Sequence, residues 1–133
     1  VQAMDIRQTG SGSSRRAAEQ DAAAKALEAG EDWYASNNQN YRNRRQLAGE
    51  IMEALQCTYD DHQVGMFLWG KIPASCTDVE ELTEKVLHQA RVFITPGFIF
   101  GSNGARYIRI SLCCKDEKLA EALERIKEMN KNK

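Results

Sequence analysis

The 133-residue sequence predicts an α/β fold, an α+β two-layer sandwich in which several helices pack against one face of a small sheet. Three observations carry this expectation. Four segments are helical by composition or by apolar spacing of three and four residues. Val64 to Ile72 is apolar on both faces and is stopped by Pro73, as a central strand covered on both sides would be. Tyr107 to Leu112 alternates strictly, with Ile108, Ile110 and Leu112 on one side and Tyr107, Arg109 and Ser111 on the other.

Taken in order, residues 1–15 contain Thr9-Gly-Ser-Gly-Ser-Ser14, a linker composition that predicts a flexible tail or a leftover of cloning, with the domain proper covering 16–133. The alanine-rich run from Arg16 to Ala29 is strong helix composition and meets Gly30, a natural terminator. From Asp32 to Gln56, Trp33, Tyr34, Tyr41, Leu47, Ala48, Ile51, Met52 and Leu55 form one stripe of a long helix, with the Asn37 to Asn40 patch as the place for a bend. After the Val64 to Ile72 strand, Thr77-Asp-Val-Glu80 has the spacing of a capping box, and Val79, Leu82, Val86, Leu87 and Ala90 lay down the next buried helix face. Val92 to Thr95 is a short strand broken by Pro96-Gly97, and Gly101 to Gly104 supplies turn residues before the Tyr107 strand. Asp116 can cap a last helix, whose Leu119, Leu123, Ile126 and Met129 share a face.

Composition narrows the partners. A net charge of -1 with dispersed lysine and arginine leaves no electrostatic footprint for nucleic acid or an anionic membrane. The longest apolar runs, Val64 to Trp69 and Phe93 to Phe100, are far short of the about 20 residues that span a bilayer. Cys57, Cys76, Cys113 and Cys114 lack the paired spacing of a disulfide framework or zinc site, so reduced thiols and a cytoplasmic location are expected, and no metal.

On the alternating strand, Arg109 projects away from the helix-covered core. Two readings stand side by side: a solvated arginine on a wet sheet face, or a planar fork matching a carboxylate or phosphate with two parallel hydrogen bonds. Arg42, Arg44 and Arg45 fall on different sides of a helix and read as solvated, partly ion-paired surface. Gly101 to Gly104 lacks the strand-loop-helix setting of a phosphate cradle.

Five motifs occur in register: Gln20-Asp-Ala-Ala-Ala-Lys-Ala-Leu27, Tyr41-Arg-Asn-Arg-Arg45, Gln63-Val-Gly-Met-Phe-Leu-Trp69, Thr95-Pro-Gly97 with Phe100-Gly101, and Tyr107-Ile-Arg-Ile-Ser111. Over about Gln20 to Met129 the chain thereby resembles the C-terminal small domain of fold-type-I, class I and II aminotransferases, which depend on pyridoxal phosphate. Residues 1–19 depart from that pattern. The resemblance implies a small, mainly antiparallel sheet with helices packed on one face, a domain that closes over an amino-acid or 2-oxo-acid substrate, and a homodimeric parent. It implies that Arg109 holds the substrate α-carboxylate, and that Phe67 lies near the substrate pocket, a core aromatic being the other reading of Phe67.

The resemblance also marks what is missing. The Schiff-base lysine of the family sits in a serine-rich segment followed by glycine and arginine, and none of the eight lysines, Lys25, Lys71, Lys85, Lys115, Lys118, Lys127, Lys131 and Lys133, has that setting. The cofactor, pyridoxal phosphate, is therefore expected on an absent large domain, and these residues alone are expected to be inactive. The same arginine would serve a carbon-sulfur lyase or related pyridoxal enzyme, and a stand-alone ligand- or protein-binding module is the alternative from another class. An exposed sheet face would leave Phe67 and Trp69 open to water.

Overall fold

A computed structural model of the chain describes residues 2–3, 6–28 and 30–131. They fall into two compact units, Val1–Gln39 and Asn40–Lys133.

In the first unit, β1 (Gln2–Ala3) and β2 (Ile6–Arg7) pair antiparallel, and α1 covers Arg15–Leu27. The Ser14 hydroxyl accepts the Ala17 N–H at 3.3 Å and caps α1; the helix end expected at Ala29 lies outside the described residues. The Thr9–Ser14 stretch lies along α1. Gly10 and Gly12 sit against the backbone of Ala17, Ala18 and Ala22, where a β-carbon has no room. The Asp21 carboxylate accepts the Ser11 N–H at 2.9 Å and pairs with Lys25 at 2.9 Å, and Lys25 chiefly holds that carboxyl below its ordinary range. The next helix, α2 (Glu31–Ala54), runs unbroken through Asn37 to Asn40, and the boundary between the units falls within it. Asparagine costs a helix only about 0.7 kcal/mol and, unlike proline, clashes with nothing, so the patch marks no break.

The second unit holds the sheet: β3 (Phe67–Lys71), β4 (Thr95–Pro96) and β5 (Tyr107–Ser111), in the order β3-β5-β4, antiparallel throughout. One face carries Leu68, Ile108, Ile110 and Leu112. It meets Ile51 and Met52 of α2, Val79 and Val86 of α3 (Val79–Ala90), and Leu119, Leu123 and Ile126 of α4 (Asp116–Lys131), all nearly free of solvent exposure. The two-layer arrangement is the one expected.

Four local expectations need correction. First, β3 is not central. It begins at Phe67, after an exposed Val64 and a Gly65 with φ of +89°, and lies at the sheet edge, where side chain and loop stand in for a neighbour. The Gln63 amide accepts the Trp69 N–H at 2.9 Å and donates to the Trp69 carbonyl at 2.8 Å, while Thr58 and Lys71 exchange backbone bonds of 2.9 and 2.7 Å. Secondly, β4 is Thr95–Pro96, one step beyond the apolar run, because Thr95 is the residue opposite Arg109 and proline is tolerated on an edge. Thirdly, the capping box lies one residue later. Asp78 caps α3 by accepting the Glu81 N–H at 2.8 Å, and the Glu81 carboxylate reaches back to the Thr77 N–H at 2.8 Å. Lastly, Asp116 does not cap α4 but lies inside its first turn. Arg44 takes its carboxylate at 2.7 Å and also donates to the Leu112 carbonyl, and this partner raises the Arg44 pKa.

Loops are fixed by two further devices. The Arg106 guanidinium donates to the carbonyls of Pro73, Cys76 and Thr77 at 2.9, 2.9 and 2.8 Å and so holds the β3–α3 connection. The 3-10 turns Gly97–Phe100 and Ser102–Gly104 close into a loop pinched at its base, where Gly97 and Gly104 meet backbone to backbone with no space for a side chain.

All four cysteines are free, and burial pushes the Cys57 thiol up to about 12. Because the native state keeps this proton longer than the unfolded chain does, its contribution to stability is intact below the ordinary thiol value of 9.0 and declines as pH rises toward about 12. At pH 8, exposed Cys113 is expected to react with a thiol reagent promptly while Cys57 reacts on the unfolding timescale. Equal labelling rates, read by mass spectrometry, would contradict the burial.

Candidate functional site

The sheet face turned away from the helices is shaped by the period of two. On β5, Arg109 lies between buried Ile108 and Ile110; across the ladders it stands opposite Trp69 of β3 and Thr95 of β4. On β3, Phe67 and Trp69 alternate with buried Leu68 and Gly70 and share the Arg109 side. Gly70 keeps the opposite side thin enough for Met52, whose thioether lies where a β-carbon would be.

The Arg109 guanidinium carbon sits over the ring of Phe67 at 4.1 Å, over Phe100 at 4.0 Å and near Trp69 at 6.0 Å. Phe100 and Trp69 in turn meet edge to face, with centroids 5.4 Å apart. Among the described residues the Arg109 side chain has these ring contacts and no ion pair or hydrogen bond. Its neighbours differ: Arg44 is neutralised by Asp116 and Arg106 is spent on three carbonyls. Half-buried, the Arg109 guanidinium keeps its donors free while the rings of Phe67 and Phe100 lie against it. Such a group attracts an anion into the plane of its N–H edge.

Phe67 and Arg109, singled out from the sequence, are thus brought together. Phe67 and Trp69 are half-buried under the guanidinium rather than open to water; the exposed apolar groups include Phe98, Ile99 and Phe100 on the pinched loop, Phe93, and Val64 and Met66 before β3. Phe100 was not among the sequence candidates. Its signal was the Phe-Gly that follows Pro96-Gly97, a pair that reads as loop punctuation until the loop is seen to fold over β5.

A cavity of about 340 Å³ abuts Arg109, lined by Ile94, Thr95, Ile110, Ser111 and Leu119 among others, whereas a larger one of about 410 Å³ lies by Cys76, Glu81 and Lys85, away from the arginine. Among the described lysines, Lys85 is half-buried and lines the larger of these cavities. Lys25 pairs with Asp21, Lys118 with Glu121, and Lys127 with Glu50 and Glu124, all on helix surfaces, and Lys71, Lys115 and Lys131 are solvent-exposed. Asp60, Asp61 and His62 gather within 4.8 Å on an exposed turn, a common surface arrangement. No helix of the described residues is long and apolar enough to cross a membrane.

Comparison with known proteins agrees with the fold. The chain is 33% identical over 110 residues to LL-diaminopimelate aminotransferase of Maridesulfovibrio salexigens, covering 83% of the chain and 28% of that protein. It is 41% identical over 64 residues to transaminase BacF of Bacillus subtilis, 48% of the chain and 16% of that protein. Among solved structures, the aromatic aminotransferase of Pyrococcus horikoshii OT3 superposes with a TM-score of 0.72 at 31% identity, over 85% of this chain and 31% of that one, and apo-BacF with 0.69 at 31%, over 84% and 28%. The chain therefore spans less than a third of the length of these relatives. The family description "Aminotransferase class I and II" matches residues 1–126, which takes in residues 1–19, where the sequence motifs had found a departure. This family is generally dependent on pyridoxal phosphate. With a matched span of nearly its whole length, the chain belongs to the class I and II aminotransferase family.

Proposed function

We propose that residues 16–133 are the C-terminal small domain of a pyridoxal-phosphate-dependent amino-acid aminotransferase, and that Arg109 binds the α-carboxylate of the amino-acid or 2-oxo-acid substrate. One observation carries the reading: a half-buried guanidinium without an acid partner among the described residues, framed by aromatic rings on the face opposite the helices. Phe67 supports Arg109 from β3. The cofactor is held by a large domain of a homodimeric parent, where it serves as an electron sink; the lysines of this chain take no part. Closure of the small domain over the bound substrate excludes water and brings Arg109 to the carboxylate. A carbon-sulfur lyase that kept the arginine would change the reaction but leave the assignments of Arg109 and Phe67 unchanged.

The test asks whether the enzyme recognises the carboxylate through this residue. In the full-length enzyme, kcat/KM for an α-amino acid is expected to exceed that for the amine lacking the carboxylate by more than about a hundredfold. Arg109→Ala should collapse the preference. A variant that keeps the wild-type ratio rules out Arg109 as the fork.

A further inference from the structure

Three features converge on Phe100. Its loop is closed at the base by Gly97 and Gly104, which meet backbone to backbone. The ring is 50% exposed, which makes it a poor contributor to the core, yet it stands 4.0 Å from the Arg109 guanidinium carbon and packs edge to face on Trp69. Phe67 meets the same guanidinium at 4.1 Å from a different element, β3.

We propose that Phe100 is a positioning residue: together with Phe67 it fixes the plane of the Arg109 guanidinium, so that only its N–H edge meets the ligand and the site prefers a planar carboxylate to a tetrahedral anion of equal charge. The inference rests on the reading of Arg109 as the substrate fork. A flat cation lying on ring faces has its rotation restricted, and a restricted fork donates two parallel hydrogen bonds to a carboxylate lying in its own plane. Three oxygens arranged around a sulfonate cannot all lie in that plane. An arginine free to rotate would accept either head group, since its charge is unchanged. The ring therefore sets selectivity without touching the reacting atoms, and its effect belongs to binding that is equal in ground and transition states, which moves KM rather than kcat.

The experiment uses the full-length enzyme with Phe100→Leu, Phe100→Met and Phe100→Tyr, each checked by thermal melting. Propionate and ethanesulfonate, equal in charge and chain, serve as competitive inhibitors. The wild type is expected to prefer propionate by about tenfold, which is ~1.4 kcal/mol. Both ringless variants should reduce that preference to below about threefold and raise KM for the amino acid by about tenfold with kcat within about twofold, and Phe100→Tyr should restore both. If the Leu and Met variants keep the propionate preference while Arg109→Ala abolishes it, Phe100 is not a positioning residue although the carboxylate reading stands. A Tyr variant as impaired as Leu likewise overturns the proposal. If Arg109→Ala leaves propionate inhibition unchanged, the underlying reading fails first.

Discussion

Replacing Arg109 with alanine in the full-length enzyme is expected to lower kcat/KM for every α-amino acid by tens- to thousands-fold. Charge-assisted hydrogen bonds contribute roughly 1.5 to 3 kcal/mol each, and about 1.4 kcal/mol is a factor of ten. Two such bonds would be lost at once, and the rings of Phe67 and Phe100 would be left facing each other's vacated partner. Arg109→Lys should recover part of the loss, since an ammonium keeps the charge without the two-point planar fork and stacks less well on the rings. Folding and cofactor binding should stay near normal, because the side chain lies on neither the helix-covered face nor a Schiff-base segment. Measured with several amino acids of differing side chain, a fall of less than about threefold in a folded Ala variant would return Arg109 to the status of a surface residue.

The neighbouring position behaves in the opposite way. Ile108 is one residue away on the central strand, fully shielded, with Gly70 and Pro96 opposite it on the flanking strands. Ile108→Ala removes three carbons from the sheet side that faces α2, α3 and α4, and such truncations cost about 2–5 kcal/mol depending on how far the site collapses. Since a domain's whole stability is roughly 5–15 kcal/mol, this is a large share of it. Urea denaturation should show the loss as a lowered midpoint with little change in slope. Arg109→Ala in the same assay should move the midpoint far less. A loss below about 1 kcal/mol for Ile108→Ala would mean that β5 is not the packed centre of this sheet.

That two adjacent residues carry such different predictions was legible in the alternation of Tyr107 to Leu112, which depends on nothing beyond the geometry of an extended chain. The amphipathic helices were legible for the same reason: a stripe such as Leu119, Leu123, Ile126 and Met129 has one way to be buried. The order of the strands was not. The Val64 to Ile72 run is apolar on both faces because Phe67 and Trp69 meet an arginine and a phenylalanine from elsewhere in the chain, not because a strand lies on each side. The partner of Asp116 was illegible too, since a capping pattern is local and Arg44 lies 72 positions away. Phe100 escaped because its contact with Arg109 arises from a loop folding back, which no period records.

The Gln63 amide has a consequence for how this protein meets other copies of itself. A bare strand at the rim of a sheet offers unpaired N–H and C=O groups on which a foreign chain can lie down, and this is a route to aggregation. By bonding both groups of Trp69, Gln63 removes the middle of that template, and Thr58 removes its end at Lys71. At the other rim β4 finishes in Pro96, which has no N–H to offer. The sheet is therefore terminated on both sides by chemistry that leaves little backbone for recruitment, and a three-stranded layer can remain three-stranded in a crowded solution.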